Sequence, residues 1–251
     1  MIKEITDLND KSLINFCKKH IFAARVYSNI LAYLNFFSVF EAYVQITDGK
    51  ITAVMSSLDQ NIVLYADENA DFEELEIFIH MQNKKSLFCT SENARSCNQS
   101  VKLEGSIMMH KDQSKLRINH EVCLSPEYKD VYGILKKNSG SWINLPCYED
   151  WYADMNHKVR HGICTMAAVY SQKTAVSCGI IVANSTNDAV VGGIGTLSDY
   201  RGKGYAGSVV STLVSYVIKM EKQPYLFRDK GKNQAFYENL GFLDVDFWVV
   251  C

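Results

Sequence analysis

The residues with the clearest chemical spacing form a glycine-rich loop late in the chain. Arg201-Gly202-Lys203-Gly204-Tyr205-Ala206 is followed at once by an apolar helical pattern. The free N–H groups of a helix's first turn, together with the helix dipole, favour an anion such as phosphate. Glycines let the backbone approach that anion and adopt positive φ, and Arg201 and Lys203 add positive charge. The loop therefore predicts a phosphate-binding site at a helix N-terminus.

Two other phosphate motifs fit this loop less well. A Walker A loop needs G-x-x-x-x-G-K-[ST], which the sequence lacks. Gly202, Gly204 and Gly207 do match the G-x-G-x-x-G expression of dinucleotide-binding folds. However, they follow a predicted antiparallel hairpin, and no acidic residue ends a following parallel strand as that fold requires. A turn without a ligand is the simplest alternative, and two cations beside three glycines at a helix start argue against it.

The predicted elements of the first half have the order strand, strand, strand, helix, strand. Asp48-Gly49, between β-branched and alternating residues, is typical of a hairpin turn. Asp71 and Glu74 have the spacing of a helix capping box. The predicted bounds are a strand at Ile2–Thr6, helical periodicity from Asp7 to about Asn35, strands at Asn61–Asp67 and Lys85–Ser91, and a helix at Asp71–Met81.

The second half repeats this order after two helices, which suggests a duplicated module. His110–His120 has no clear period and is interpreted as a linker or the start of the second unit. We predict two tandem modules, residues 1–115 and 116–251, in an α/β (α+β) fold with a mixed, mostly antiparallel twisted sheet flanked by helices. The predicted helices are Pro126–Lys137, Tyr148–His161, Gly204–Met220 and Asn233–Leu240, and the strands are Cys164–Ser171, Thr174–Ala183, Ala189–Leu197, Pro224–Arg228 and Leu243–Val250.

Two motifs in the second half resemble one known family. Arg201-x-x-Gly204-x-Ala206 is similar to Q/R-x-x-G-x-G/A, the pyrophosphate-binding motif of the GNAT superfamily of N-acetyltransferases. Downstream, Tyr237-x-x-x-Gly241-Phe242 resembles the family's Y-x-x-x-G-F segment. The resemblance covers roughly residues 148 to 251, and the first half would then be a degenerate GNAT-like module.

The resemblance implies a sheet whose fourth and fifth strands, in the family's order, splay apart with coenzyme A in the gap, and it implies acetyl-CoA as cosubstrate. Tyr237 would be the catalytic acid that protonates the leaving thiolate, and a phenol and a thiol have comparable ordinary pKa values. The alternative is that Tyr237 only packs on its helix. The implied coenzyme-binding residues are Thr196, Leu197, Ser198, Arg201, Gly202, Lys203, Gly204, Tyr205, Ala206, Gly207, Ser208, Asn233 and Tyr237.

The sequence departs from the family at two positions before Tyr237. The family often has Asn where Lys230 stands and Ala where Asn233 stands. Asn233 is expected either to bind the coenzyme or to cap the helix, since Asn favours that position. In the preceding strand, Gly192, Gly193 and Gly195 indicate either a closely approaching ligand or a bulge packed on a helix.

No residue stands out as the general base, and the acceptor site is equally open. The acids near the motifs are Asp199, Glu149, Asp150 and Asp154, and each is also an ordinary solvated acid. The aromatic residues Trp142, Tyr148, Trp151 and Tyr152 either line the acceptor pocket or belong to the core.

A histidine pair is the one arrangement with metal-ligand spacing. His157 and His161 are four residues apart on a predicted helix, yet Lys158 stands where a metalloprotease has Glu and a third ligand is not evident. We therefore expect no metal.

The first half carries acids where the second carries its cationic loop. Asp67, Glu68 and Asp71 precede the predicted helix of the first module. Carboxylates at a helix start would repel a pyrophosphate. We therefore expect the first module to lack a coenzyme site, and coenzyme bound only in the second half would test this.

Composition limits the remaining classes of function. The chain has 251 residues and a net charge of −2, which does not predict a nucleic-acid or membrane partner. The eight cysteines lie far apart, and the N-terminus lacks an apolar signal core, so we expect reduced thiols and a cytoplasmic protein.

The predicted function is transfer of an acetyl or other acyl group from acetyl-CoA to a primary amine. Transfer would be direct, because neither motif contains a cysteine. The acceptor would be a small molecule or a peptide, and the assembly state stays open, a homodimer included. The alternatives are an acyl-CoA-binding regulatory module without turnover and a nucleotide-binding oxidoreductase that uses the same glycines.

Overall fold

Strands and helices alternate along residues 1–138 and 145–251, the part of the chain that the computed structural model describes. The strands are β1 Ile2–Glu4, β2 Phe40–Thr47, β3 Lys50–Leu58, β4 Asn61–Ala66, β5 Ser86–Thr90, β6 Leu103–His110, β7 Thr165–Ser171, β8 Thr174–Asn184, β9 Asp188–Thr196, β10 Gln223–Asp229 and β11 Phe242–Val250. The helices are α1 Lys11–Cys17, α2 Ile21–Tyr33, α3 Phe72–Met81, α4 Ser91–Ser96, α5 Tyr128–Asn138, α6 Tyr148–Arg160, α7 Tyr205–Lys219 and α8 Gln234–Glu238.

These strands pair into one sheet in the order β1-β2-β3-β4-β5-β11-β6-β10-β9-β8-β7. Two neighbouring pairs, β4 with β5 and β9 with β10, are parallel. The remaining pairs between neighbours are antiparallel. The predicted mixed, mostly antiparallel sheet is therefore confirmed.

The two halves of the chain exchange strands at the centre of the sheet. The last strand of the chain, β11, lies between β5 and β6, and β6 lies between β11 and β10. Strand β6 was not predicted from the sequence, and only its last residue, His110, falls within the predicted linker. The proposed boundary between residues 115 and 116 falls just after this exchanged strand and stays a prediction.

The helices cover both faces of the sheet. Val190 of β9 packs with α2, whereas its neighbour Val191 packs with α7. Because consecutive strand residues face opposite sides, α2 and α7 lie on opposite faces. In the first half, Val54 packs with α1 and α2, and Met55 packs with α3 and α4. Helices α5 and α6 pack on β7 and β8, on the face opposite to α7.

Of the two local signals predicted in the first half, the hairpin turn forms completely and the capping box only in part. Asp48 and Gly49 have φ of 51° and 75°, so the predicted hairpin turn is confirmed. The capping box forms only in part. The carboxylate of Asp71 accepts the N–H of Glu74 at 3.0 Å. The Glu74 carboxylate instead accepts the N-terminal ammonium of Met1 at 2.9 Å and the N–H of Ile2 at 3.1 Å.

The strand exchange predicts that residues 116–251 do not fold alone. In that fragment β10 loses its partner β6 and β11 loses both of its neighbours, which leaves one edge of β10 and both edges of β11 unpaired. We expect the fragment to show no cooperative thermal transition by circular dichroism, while the full chain melts cooperatively. A cooperative transition in the fragment, with native-like dispersion in its amide NMR spectrum, would contradict this.

Candidate active site

The site forms where two parallel strands stop pairing. Strands β9 and β10 pair from Asp188 with Gln223 as far as Val191 with Leu226, and then diverge. A cavity of about 690 Å³ occupies the gap, within the range of small-molecule sites. Its walls are the separated ends of both strands, the loop before α7, the last residue of α5, and α8.

The glycine-rich loop has the backbone that its sequence requires. Gly202 and Gly204 have φ of 75° and 83°, a region that other residues enter at a cost. The N–H of Ser208 donates to the carbonyl of Gly204 at 3.1 Å, which is the first bond of α7. The three preceding N–H groups of α7 therefore have no intrahelical acceptor, and their residues, Tyr205 to Gly207, line the cavity.

Most residues predicted to bind the coenzyme lie around this one cavity. Those that line it are Thr196, Arg201, Gly202, Gly204, Tyr205, Ala206, Gly207, Asn233 and Tyr237. Four predicted residues are not among the described lining residues: Leu197, Ser198, Lys203 and Ser208. The backbone N–H of Leu197 donates to Val176 in β8 at 2.9 Å. The Lys203 ammonium donates to the carbonyl of Asp199 at 3.0 Å.

Arg201 lies at the cavity wall and is held by two contacts. Its Nε donates to the carbonyl of Thr196 at 3.2 Å, and its Nη2 donates to Oδ1 of Asn138 at 2.9 Å. Asn138 in turn donates from Nδ2 to the carbonyl of Ile134 within α5. Asn138 could not be identified from the sequence, because its position at the site depends on where α5 ends relative to β9.

The predicted linker holds the start of α7 in place. The hydroxyl of Ser208 is buried and accepts the N–H groups of Asn119 and His120 at 3.0 and 3.2 Å. The His120 ring lies 4.2 Å from the ring of Tyr205, and its Nε2 lies 2.9 Å from the carbonyl of Lys203. The linker therefore fixes the loop from the side away from the cavity.

The glycines of β9 form a bulge. Ile180 pairs with Gly192 and Cys178 pairs with Gly195, so β9 has one residue more than β8 between these pairs. Gly193 has φ of 57°, as expected at a bulge. A Cβ on Gly195 would lie 3.0 Å from the side chain of Ile134, so packing on α5 also requires glycine. Both the bulge and the helix contact exist, and all three glycines line the cavity.

Tyr237 of α8 lines the cavity and is only 9% exposed. Burial, with a smaller contribution from the charge of Asp229, raises the pKa of Tyr237 to about 12. The comparable ordinary pKa values of a phenol and a thiol therefore do not describe the buried Tyr237, whose pKa lies above the ordinary value of about 10. Desolvation disfavours the phenolate, so Tyr237 remains a protonated hydrogen-bond donor at neutral pH.

Three charged residues of the cavity wall were missed by the sequence analysis: Arg228, Asp229 and Lys232. Arg228 is buried and donates from Nη2 to Asp244 and Ser106, each at 3.0 Å. Asp229 pairs with Lys232 at 3.2 Å and is the one acidic side chain among the described lining residues. Arg228 and Asp229 end β10 beyond its last parallel pair with β9, and Lys232 follows β10. Their place at the end of a predicted strand was the signal that could have identified them.

The acids considered as bases lie elsewhere among the described residues. Asp154 accepts the hydroxyl of Tyr33 at 2.6 Å and the ammonium of Lys158 at 2.7 Å. Asp199 is exposed and accepts the hydroxyl of Ser198. The two remaining acids, Glu149 and Asp150, are exposed in the first turn of α6.

The aromatic candidates form a cluster beside the sheet. Trp151 is buried in the core of α5 and α6. Tyr148 and Tyr152 contact each other and the neighbouring tyrosines of α5. None of these three is among the described residues of the cavity wall. Trp142 lies outside the described residues.

The histidine pair, Lys230 and Asn233 are the remaining residues singled out from the sequence. His157 lies with Nε2 at 2.6 Å from the carbonyl of Ala32, and His161 with Nδ1 at 2.8 Å from the carbonyl of His157. Lys230 pairs with Glu104, away from the described cavity wall. Asn233 precedes α8 with φ of 55° and makes no side-chain capping bond, so the helix-capping alternative is not what its side chain does.

The corresponding gap in the first half is bridged by a side chain. Strands β4 and β5 pair only as far as Val63 with Phe88. Beyond this, the buried side chain of Asn93 bonds both backbone groups of Ala66: it accepts the N–H at 3.0 Å and donates to the carbonyl at 2.9 Å.

Among the described residues, no helix is long and apolar enough to span a membrane.

Comparison with known proteins agrees with this geometry. Residues 124–242 match the family model described as the acetyltransferase (GNAT) family. Uncharacterized acetyltransferases of Streptococcus pyogenes serotypes M1 and M3 are 34% identical over 76 residues, which is 30% of this chain and 54% of each relative. The chain thus spans about half the length of these curated relatives.

Solved structures with the same fold cover the whole chain. A tandem GNAT protein from the clavulanic acid biosynthesis pathway has a TM-score of 0.62 and 10% identity, covering 100% of this chain and 97% of its own. A GCN5-related N-acetyltransferase from Sphaerobacter thermophilus has a TM-score of 0.64 and 12% identity, covering 100% and 94%. The predicted pair of modules is confirmed at the level of fold. Residues 124–242, just under half of the chain, therefore form an acetyltransferase (GNAT) family domain.

Proposed function

We propose that this protein is an N-acetyltransferase that transfers the acetyl group of acetyl-CoA directly to a primary amine within one ternary complex. The observation that carries the proposal is the cavity between β9 and β10, which meets the free N–H groups of α7 at one end and Tyr237 at another. The membership of residues 124–242 in an acetyltransferase family supports acyl transfer. The reduced state of buried cysteines would suit a cytoplasmic location.

The residues present fit an anionic cosubstrate of this kind. The N–H groups of Tyr205 to Gly207 and the dipole of α7 suit a pyrophosphate. Arg201 adds a fixed positive charge at the same wall. The three glycines of the β9 bulge line the same cavity, and a strand segment without side chains permits close approach of a ligand. When bound, acetyl-CoA supplies a thioester that an amine attacks, forming the C–N bond as the C–S bond breaks.

Tyr237 would act on the sulfur side of this reaction. Its phenol stays protonated because burial raises its pKa to about 12. It would donate a hydrogen bond to the sulfur as negative charge develops there, and this interaction strengthens toward the transition state. The proton is transferred fully only if the thiolate is desolvated in the same cavity, since desolvation raises thiol pKa values as well.

Asp229 would act on the amine side. It is the one carboxylate among the described residues of the cavity wall. A carboxylate there attracts an ammonium group and receives its proton, directly or through water, before attack. Its contact with Lys232 holds the side chain in position.

A covalent cysteine route has less support than direct transfer. Cys178 lies behind the β9 bulge, with Sγ 3.6 Å from the carbonyl of Gly193. Burial raises the pKa of Cys178 to about 12, which removes the thiolate that nucleophilic attack requires. Cysteine is absent from the described cavity wall.

Gly204→Glu tests the coenzyme site. The substitution forces a side chain onto a residue with φ of 83° and adds a negative charge at the anion-binding helix start. We expect acetyl-CoA to bind at least about 100-fold more weakly in calorimetric titration. Gly133→Glu, at a helical glycine with no atom within 4 Å of a new Cβ, is the matched control and should retain binding. Equal affinity in both variants would count against the assignment.

Tyr237→Phe tests the catalytic role. Loss of the phenolic donor should lower kcat by about 100-fold or more, while the affinity for acetyl-CoA changes little because the ring remains. Thiol release and calorimetry measure the two quantities. Acetyl-CoA binding by the wild type without turnover on a broad amine panel would instead favour a regulatory acyl-CoA-binding module.

The pH dependence of kcat tests the protonation state of Tyr237. Since the pKa of this phenol is raised to about 12, the donor is present below that value and is lost only above it. We expect no descending limb in kcat between about pH 8 and pH 10, where an ordinary tyrosine begins to ionise. A descending limb with a midpoint near 10 that disappears in Tyr237→Phe would contradict the raised pKa.

A further inference from the structure

Arg25 of α2 is a cation whose contacts among the described residues are two aromatic rings. Its guanidinium carbon lies 5.0 Å from the ring centroid of Phe88 and 5.5 Å from that of Phe227. Within residues 1–138 and 145–251 these ring contacts are its partners, and neither an acid nor a hydrogen-bond acceptor engages it. The side chain is half-buried. A guanidinium removed from water without a carboxylate is costly, so its retention points to a bound anion.

The surroundings of Arg25 confirm that the cost is real. Burial lowers the pKa of its guanidinium to about 10, and the groups that act against this shift are Tyr33 and Cys164. Both of those groups are neutral near pH 7, because burial raises the pKa of each. Arg25 therefore stays charged at neutral pH and is available to an anionic ligand.

An aromatic floor connects Arg25 to the catalytic cavity. We use this name for the rings of Phe88, Phe227 and Trp248, where Phe88 lies 5.5 Å from Phe227 and 5.6 Å from Trp248. Phe227 is itself a wall of the cavity. Gly105 leaves the space that the Trp248 ring occupies, since a Cβ on residue 105 would lie 2.4 Å from that ring.

Asp229 lies at the other end of this floor. It follows Phe227 by two positions in β10, so both side chains leave the same face of the strand, about 6–7 Å apart. The floor is thus bounded by an unpaired cation contributed by the first module and a carboxylate contributed by the second.

We propose that the acceptor amine carries a carboxylate several bonds away from its nitrogen, and that Arg25 binds this carboxylate while the amine lies at Asp229. The inference rests on the proposed function and names its acceptor class: an ω-amino acid or a short peptide with a free C-terminus. A guanidinium binds a carboxylate through two parallel N–H···O bonds. The apolar connecting chain of such an acceptor would lie over the aromatic floor.

The experiment compares matched pairs of acceptors with and without the carboxylate. The pairs are 4-aminobutyrate with butylamine, 6-aminohexanoate with hexylamine, and glycylglycine with its amide, measured by thiol release with saturating acetyl-CoA. The wild type should prefer the carboxylated member of at least one pair in kcat/KM. In Arg25→Gln the ratio of the two kcat/KM values should fall by about 10- to 100-fold, and Arg25→Lys should restore part of it.

Lys19→Gln is the matched control. Lys19 also lies over a ring, 4.6 Å from the centroid of Phe16, but it is paired with Asp67 at 2.9 Å. Its loss should leave the preference for the carboxylated acceptor at the wild-type ratio. Unchanged calorimetric affinity for acetyl-CoA in each variant shows that the fold is intact.

Two outcomes would overturn the inference: equal use of both members of every pair by the wild type, or an equal fall for both members in Arg25→Gln. Failure of the proposed function is a separate result. It would be a wild-type protein that does not bind acetyl-CoA in the calorimeter, or one that binds it and transfers to no amine of a broad panel.

Discussion

The divergence of two parallel strands is the constraint on which the rest of this structure depends. Strands β9 and β10 pair only as far as Val191 and Leu226, and each must then find support elsewhere. Strand β10 finds it in β6, which pairs with it as far as Asp229 opposite Gly105. Strand β9 finds it in β8 and in α5, across a bulge that glycines make possible. The gap stays open because both of its sides are held from outside.

Part of this site could be predicted from the sequence, because it depends on local features of the chain. The turn at Gly202 and Gly204 needs positive φ, and the apolar stripe of α7 begins directly after it. Both are short-range features, so the loop and its helix were correctly predicted. The raised pKa of Tyr237 has no such local signal, because it depends on how deeply α8 packs against Phe242 and the core of α7.

The rest of the site could not be predicted from the sequence, because it depends on pairing between strands far apart in the chain. Strand β6 carries Gly105 and borders a polar segment, and only its neighbours β10 and β11, both more than a hundred residues later, make it a central strand. Asn138 and Asp229 gained their places in the same way, since each ends an element whose direction is set by tertiary contacts. No local pattern distinguishes such a residue from an ordinary surface amide or acid.

The same physics explains why the two modules differ. At the start of α3, the Asp71 carboxylate accepts the N–H of Glu74, and Glu74 adds a second carboxylate in the first turn, so an external phosphate would be repelled there. At the start of α7, Gly204 supplies no such side chain, and the first N–H groups are left free for an external anion. The first module has closed its own gap with Asn93, yet through β6 it completes the sheet beside the second gap, and through Arg25 it places a charge near it. Under the proposed function, its contribution to the site would be scaffolding and recognition, while the chemistry would belong to the second module.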